Sequence, residues 1–262
     1  MNLDKVAIGI KTFLREEMLF DTIAAVRARM PEAQLIIADD SYTADKFGQP
    51  KLSIYNSLID EGHIIIPLPF DSGFGAKSNA IAAANTRPYL LIGSDDFDFN
   101  PIEVSEGIEK LIRVLDQNPD IHIASGRVRN NPYEFNLIDA GDTIIETRVN
   151  TGDESEPWYF ADLTVNYSLI RREVFEKVGW DDDVKIGGGE HGAFFVDALR
   201  TGFTTVWVPG VNINEQDRQA SYEYNMYRRR ARSSERPCFD KRGIKKYVLG
   251  NGQVDYVALD RS

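Results

Sequence analysis

Five short apolar runs, at residues 6–10, 35–38, 63–68, 89–92 and 121–124, divide the first half of the chain, and between neighbours there is room for one helix or a short crossover. Helical patterns fill those intervals at about 15–30, 51–59, 76–84 and 103–116, with Pro31, Pro88 and Pro119 at the junctions, where proline is tolerated. Strand-sized runs alternating with helices of this length specify βαβ units and a mostly parallel sheet with helices on both faces. Right-handed crossovers then bring the strand ends to one edge, where open α/β sheets bind ligands.

After Gly126 the rhythm changes. Residues 133–149 alternate as antiparallel strands do, around the turn Asp139–Ala140–Gly141–Asp142, and helical segments follow near 172–178 and 190–200, with a last strand at 204–208. No repeat or low-complexity linker interrupts this, so we expect one catalytic domain over 1–216 with a nucleotide-binding half (1–125) and an acceptor half (126–216), and a C-terminal extension over 217–262. The hydrophobic fraction of 42% against 27% charged residues excludes disorder. No apolar run is long enough to cross a bilayer, so no integral membrane insertion is expected. Without a signal-peptide pattern, and with Cys238 as the one cysteine, a cytoplasmic address is the simplest expectation.

Two acidic groups follow apolar runs directly: Asp39–Asp40, and Asp95–Asp96–Phe97–Asp98. Carboxylates crowded at the carboxyl edge of a parallel sheet repel one another unless a cation or hydrogen-bond donors compensate. Such a group suits a hard divalent ion that also takes diphosphate oxygens, and an ion so placed neutralises a departing diphosphate.

Two glycine-rich turns open helices. In the first, Asp71–Ser72–Gly73–Phe74–Gly75–Ala76–Lys77–Ser78–Asn79, free N–H groups and Lys77 could face an anion, although P-loop spacing is absent and a plain strand-to-helix turn accounts for it nearly as well. In the second, Gly187–Gly188–Gly189–Glu190–His191–Gly192, the glycines permit close backbone approach to a ligand, and either Glu190 or His191 is a candidate general base.

The order of these parts, beginning with Ile10–Lys11–Thr12–Phe13–Leu14–Arg15 and passing through Ile36–Ile37–Ala38–Asp39–Asp40–Ser41, the Gly73–Asn79 turn and Ser94–Asp95–Asp96–Phe97, resembles an inverting glycosyltransferase of GT-A type. The chain is similar to the family 2 transferases broadly and to the β-1,4-N-acetylgalactosaminyltransferases of ganglioside synthesis more closely. Asp162–Leu163–Thr164–Val165–Asn166–Tyr167, Val178–Gly179–Trp180–Asp181 and Phe194–Phe195 continue the likeness to about residue 208. The resemblance implies a GT-A (nucleotide-diphospho-sugar transferase) fold, a UDP-sugar donor, manganese or magnesium, and a saccharide acceptor.

By the same resemblance, Thr12 and Arg15 line the nucleotide pocket and Asp39 or Asp40 binds uracil or ribose. Lys77 and Asn79 lie near the base or diphosphate, with Asp95 beside them. Asp96 ligates the metal, joined by Asp98 if the D-x-D register is 96–98 rather than 94–96, since Ser94 stands where relatives carry an aspartate. Asp162 and Asn166 lie near the sugar or acceptor. Relatives pair Glu with Asp near the base; here the pair is Glu190–His191. No histidine follows to join the metal, leaving Asn214, Glu215 or Asp217 as substitutes.

The net charge of −11 is uneven: residues 218–246 carry ten Lys/Arg against three Asp/Glu. With Tyr222, Tyr224 and Tyr227 among arginines, this segment suits phosphates, and a modified (hydroxymethylated) DNA acceptor is one expectation. A clamp on the donor diphosphate is another, and a helix folded back on the acidic body a third. Within enzymes the alternative is a sugar-1-phosphate nucleotidyltransferase, disfavoured because residues 8–15 lack the glycine run of that class. A carbohydrate-binding module without activity is disfavoured by the two acidic clusters and Glu190.

Overall fold

The computed structural model describes residues 3–42, 48–231 and 236–258. Its central sheet has the order β3-β2-β1-β4-β10-β6-β11-β5, with β9 beside β11. The strands are β1 (Val6–Thr12), β2 (Gln34–Asp39), β3 (Ile64–Pro67), β4 (Tyr89–Ser94), β5 (Phe97–Asp98), β6 (Ile123–Val128), β9 (Tyr159–Phe160), β10 (Ser168–Arg171) and β11 (Thr205–Glu215). Strands β1 to β4 pair in parallel, as do β6 and β11, whereas β10 runs antiparallel between β4 and β6. The α/β architecture expected from the apolar runs is therefore present, with one reversed strand at its centre. Among the described residues, no helix is long and apolar enough to cross a membrane.

Period-two alternation divides the strands between two cores. Ile8, Ile10, Leu35, Ile37 and Leu91 face one side, where they meet α1 (Glu16–Arg29), α2 (Gln49–Asp60) and α4 (Ile102–Gln117). Ala7, Ile36, Leu90 and Ile92 face the other, against α3 (Phe74–Ala84) and α5 (Glu190–Thr201). In α4, Val104, Ile108, Leu111, Ile112 and Leu115 are buried at helical spacing, a continuous apolar stripe. Each such side chain contributes roughly 1.5–3 kcal/mol by leaving water. Helix α5 is bounded by left-handed glycines, Gly189 (φ 87) and Gly202 (φ 86), where a Cβ would be strained.

A second sheet, in the order β13-β12-β8-β7, covers part of the α5 side. Strands β7 (Phe135–Asp139) and β8 (Thr143–Arg148) form the hairpin expected around Asp139–Asp142. Beyond the short helices α6 (Tyr222–Ala231) and α7 (Pro237–Asp240), strands β12 (Lys246–Val248) and β13 (Val254–Val257) join it, β12 parallel to β8. Phe239 and Tyr247 stack at 4.5 Å and belong to the buried cluster on the α5 side.

Candidate active site

The carboxyl ends of β1, β2 and β4 open into a cavity of about 350 Å³. Strand β1 runs through Thr12, so its last residues leave the apolar core and line this space. The chain then turns at Leu14 (φ 52), whose N–H donates to Ser41 Oγ at 2.8 Å, and this aims Arg15 across the sheet edge. The Arg15 guanidinium binds both carboxylates after β4: Nη2 and Nε donate to Asp95, and Nη1 donates to Asp96 at 2.6 Å.

Asp95 is fully buried, and burial pushes its carboxyl up to about 6 although Arg15 pulls the other way. For Asp96 burial also opposes ionisation, but Arg15 and Ser94 prevail and hold it below the usual carboxylate range. Asp96 thus stays ionised to lower pH than Asp95, and its side chain, a quarter exposed, lines the cavity. Asp98 does not line the cavity; its Oδ1 accepts from the Asn100 backbone and side-chain amides at 3.0 and 2.9 Å.

The two aspartates after β2 part company. Asp39 is fully buried, and its oxygens accept from Ser41 N–H (2.8 Å), Lys51 (3.0 Å) and Tyr55 (2.6 Å). Asp40 lines the cavity, paired with Lys77 at 2.5 Å and with the Gly73 N–H at 2.9 Å. The α3 start is accordingly not an open anion site. Gly73 N–H is taken by Asp40, and Phe74 N–H donates to Lys185 O at 2.8 Å. Gly73 (φ 97) is glycine because a Cβ would meet Lys185 Cα at 2.6 Å. Asn79 faces away from the cavity, its side chain holding Trp180 N–H and O and the Asp182 carboxylate at 2.6–2.9 Å.

At the second glycine turn, Glu190 lines the cavity and His191 does not. Glu190 Oε1 accepts from Gly187 N–H at 2.9 Å, while Oε2 is buried and has no hydrogen-bond partner among the described residues. His191 places Nε2 2.6 Å from Thr164 O, and burial pushes its imidazole down to about 4. It is therefore neutral near pH 7 and donates its Nε2 proton to that carbonyl. The glycines face the chain rather than a ligand: a Cβ on Gly188 would lie 3.3 Å from Pro237, and one on Gly189 3.1 Å from the Phe239 ring. Asn166 lines the cavity, whereas Asp162 accepts from Leu137 N–H at 2.9 Å.

Several cavity residues were not among those singled out in the sequence. Lys11 donates to Gly93 O at 2.6 Å and lies 5.1 Å from the Phe74 ring centre; burial and then Lys77 push its amine down to about 7. Its signal was a lysine directly continuing an apolar strand. Lys185 enters from the loop paired with Asp71; of the three residues named as substitute metal ligands, Glu215 enters from the end of β11, and Asn214 and Asp217 do not line the cavity.

Helix α6 covers the cavity mouth with Tyr224, Tyr227 and Arg228. Tyr227 meets Phe13 and Phe70 edge-on at 5.6 and 5.3 Å, Arg15 lies 4.7 Å from the Tyr224 ring centre, and Arg228 donates to the Tyr224 hydroxyl at 2.5 Å. Elsewhere the basic segment turns inward. Arg218 pairs with Glu17 and Asp21, Arg236 with Asp255, and Arg242 with Asp181 and Asp197. Lys241 and Lys245 also face the chain's own aspartates. Folding back onto the acidic body thus describes Arg218, Arg236, Lys241, Arg242 and Lys245, and no contact among the described residues supports the DNA-acceptor expectation. Arg232 lies outside the described residues.

The sequence profile of glycosyl transferase family 2 matches residues 7–179. Among curated proteins, the chain is similar to mouse beta-1,4 N-acetylgalactosaminyltransferase 2, 29% identical over 219 residues, covering 81% of this chain and 39% of that protein. It is also similar to human beta-1,4 N-acetylgalactosaminyltransferase 1, 28% identical over 207 residues, covering 74% of the chain and 36% of that protein. The chain therefore spans less than half the length of these relatives. Among solved structures, GalNAc-T7 with UDP, GalNAc and Mn2+ superposes with a TM-score of 0.61 at 15% identity, over 81% of this chain and 44% of that one. A mannosyltransferase from Pyrobaculum calidifontis in complex with GDP-Man and Mn2+ gives 0.57 at 13% identity, over 87% and 61%. The fold shared with these structures is GT-A.

Proposed function

The chain belongs to glycosyl transferase family 2 and is an enzyme that transfers sugars, and we propose that its cavity takes a UDP-hexose or UDP-N-acetylhexosamine with a divalent metal and passes the sugar, with inversion, to a hydroxyl of a saccharide acceptor. The observation that carries this reading is the sharing of one cavity by an anionic Asp96 and a Glu190 whose Oε2 is unpartnered. In this reading residues 1–125 form the donor half and 126–216 the acceptor half of one catalytic domain, with 217–262 as its extension.

Charge supports the metal. Lys11, Arg15 and Lys77 stand against Asp40, Asp95 and Asp96, so the floor is close to neutral before a diphosphate enters. Among the described residues, no three His, Cys, Asp or Glu side chains group to hold an ion. The residues fit a magnesium- or manganese-type cation, which needs few protein carboxylates: Asp96 would hold it, with Glu215, now paired with Arg129, as a second oxygen donor. When bound, such an ion neutralises the leaving diphosphate. Arg15 keeps Asp96 ionised for it, and Lys77 and Asp40 fix the β2–α3 wall.

For the reaction, the Glu190 carboxylate takes the proton of the acceptor hydroxyl as that oxygen attacks the anomeric carbon. The bond from that carbon to the diphosphate oxygen breaks on the opposite face, which inverts the centre and leaves UDP with the bonding pair. Tyr224, Tyr227 and Arg228 close over the donor. A screen of UDP-sugars and GDP-mannose for hydrolysis, with and without manganese, tests the reading; turnover of no UDP-sugar under either condition would overturn it.

A further inference from the structure

Glu190 is anchored through a residue that has little conformational preference of its own. Gly187 has φ 75, in the region glycine populates freely, so its two polar groups do not hold each other in place. Its N–H donates to Glu190 Oε1 at 2.9 Å, and its carbonyl accepts from Arg236 Nη1 at 2.9 Å. Arg236 is in turn gripped by Asp255 of β13, through Nε at 2.9 Å and Nη2 at 3.1 Å. A planar guanidinium bound on two edges cannot swing, so it presents a fixed donor to the glycine loop.

We propose that Arg236 is a positioning residue for Glu190: held by Asp255, it fixes Gly187 and through it the orientation of the carboxylate that accepts the acceptor's proton. This rests on Glu190 being the base. The segment around Arg236 has independent attachments, since Phe239 and Cys238 are buried, Phe239 stacks on Tyr247, and β12 pairs with β8. Removing the guanidinium therefore releases the loop without undocking the segment. Both Glu190 and Arg236 lie beyond the residues matched by the family profile.

The test uses the full chain with Arg236→Met, Arg236→Lys and Asp255→Asn, each also combined with Glu190→Gln. Amide hydrogen exchange should rise about tenfold or more across residues 186–190 in Arg236→Met and stay unchanged in β12 and α5 beyond its first turn. Hydrolysis of UDP-N-acetylgalactosamine with manganese, water standing in for the acceptor, should lose about 10- to 100-fold in kcat with donor KM unchanged. Arg236→Lys should recover part of that loss. In the Glu190→Gln background, Arg236→Met should cost nothing further. Equal losses in both backgrounds would mark Arg236 as merely structural, and unchanged exchange at 186–190 would overturn the inference whatever the rates. If Glu190→Gln alone leaves hydrolysis intact, the base assignment fails, and a loop loosened in the exchange experiment would then show bracing without a catalytic purpose, which also overturns the proposal.

Discussion

His191 donates its Nε2 proton to the carbonyl of Thr164, 2.6 Å away, whereas its neighbour Glu190 gives one oxygen to the Gly187 N–H and keeps Oε2 without a partner among the described residues. The two adjacent side chains at the start of α5 leave the helix in different directions, one into the protein and one into the cavity.

Glu190→Gln should therefore lower kcat by about 10²–10⁴-fold with little change in donor binding. His191→Asn, which keeps an N–H for Thr164, should change kcat far less. Steady-state rates against donor binding by calorimetry check both; the reverse ranking would move the proton-accepting role to His191.

Asp96→Asn should abolish most metal-dependent turnover and weaken donor binding in manganese, because Asp96 is the carboxylate after β4 that lines the cavity and is held in its ionised form. Asp98→Asn should have a small effect, since its carboxylate serves the Asn100 turn. Manganese titrations of the two variants distinguish the 94–96 register from 96–98.

Lys11 makes the fold's stability depend on pH. Its amine is shifted from 10.5 down to about 7, first by burial and then by Lys77. Between those values the unfolded chain binds a proton that the folded chain does not, so stability rises with pH across this window and the penalty is complete below about 7. Lys11→Met should raise the melting temperature at pH 6, by up to a few kcal/mol of stability at about 1.4 kcal/mol per unit, and the gain should fade towards pH 10. Melts of wild type and variant between pH 6 and 10 read this directly; a constant difference would contradict it.

Arg228→Gln should weaken UDP-sugar affinity, by roughly tenfold if the guanidinium makes one charge-assisted contact to the diphosphate. Wild-type protein should not retard duplex DNA at physiological salt. Donor calorimetry and a gel-shift assay measure the two; retarded DNA would restore a nucleic-acid acceptor.

The first four strands were legible because they are short apolar runs, two of which lead straight into acidic pairs. Legibility stopped where a strand ceases to be apolar. The run at 6–10 ends at Ile10, but β1 continues to Thr12, since Lys11 and Thr12 exchange core for cavity while keeping strand geometry. Strand β11 likewise continues past Pro209–Gly210, which reads as a stop, through a register shift between Trp207 and Asn212, and so carries Glu215 to the site. Strand β10 has four residues and no alternation that could be distinguished from a loop. The glycines before Glu190 marked a close approach correctly, yet the approaching group is Phe239, fifty residues away, which no local pattern reveals.

The parallel pairing of β12 with β8 joins stretches of chain about a hundred residues apart, and contacts at such separation form late. On a translating ribosome the four parallel strands β1–β4 are complete once residue 94 has emerged, whereas the loop leading into Glu190 waits for Arg236, Phe239 and β12–β13. A nascent chain thus completes the strand ends that floor the cavity well before Glu190 is braced, so the two sides of the cavity mature in sequence order.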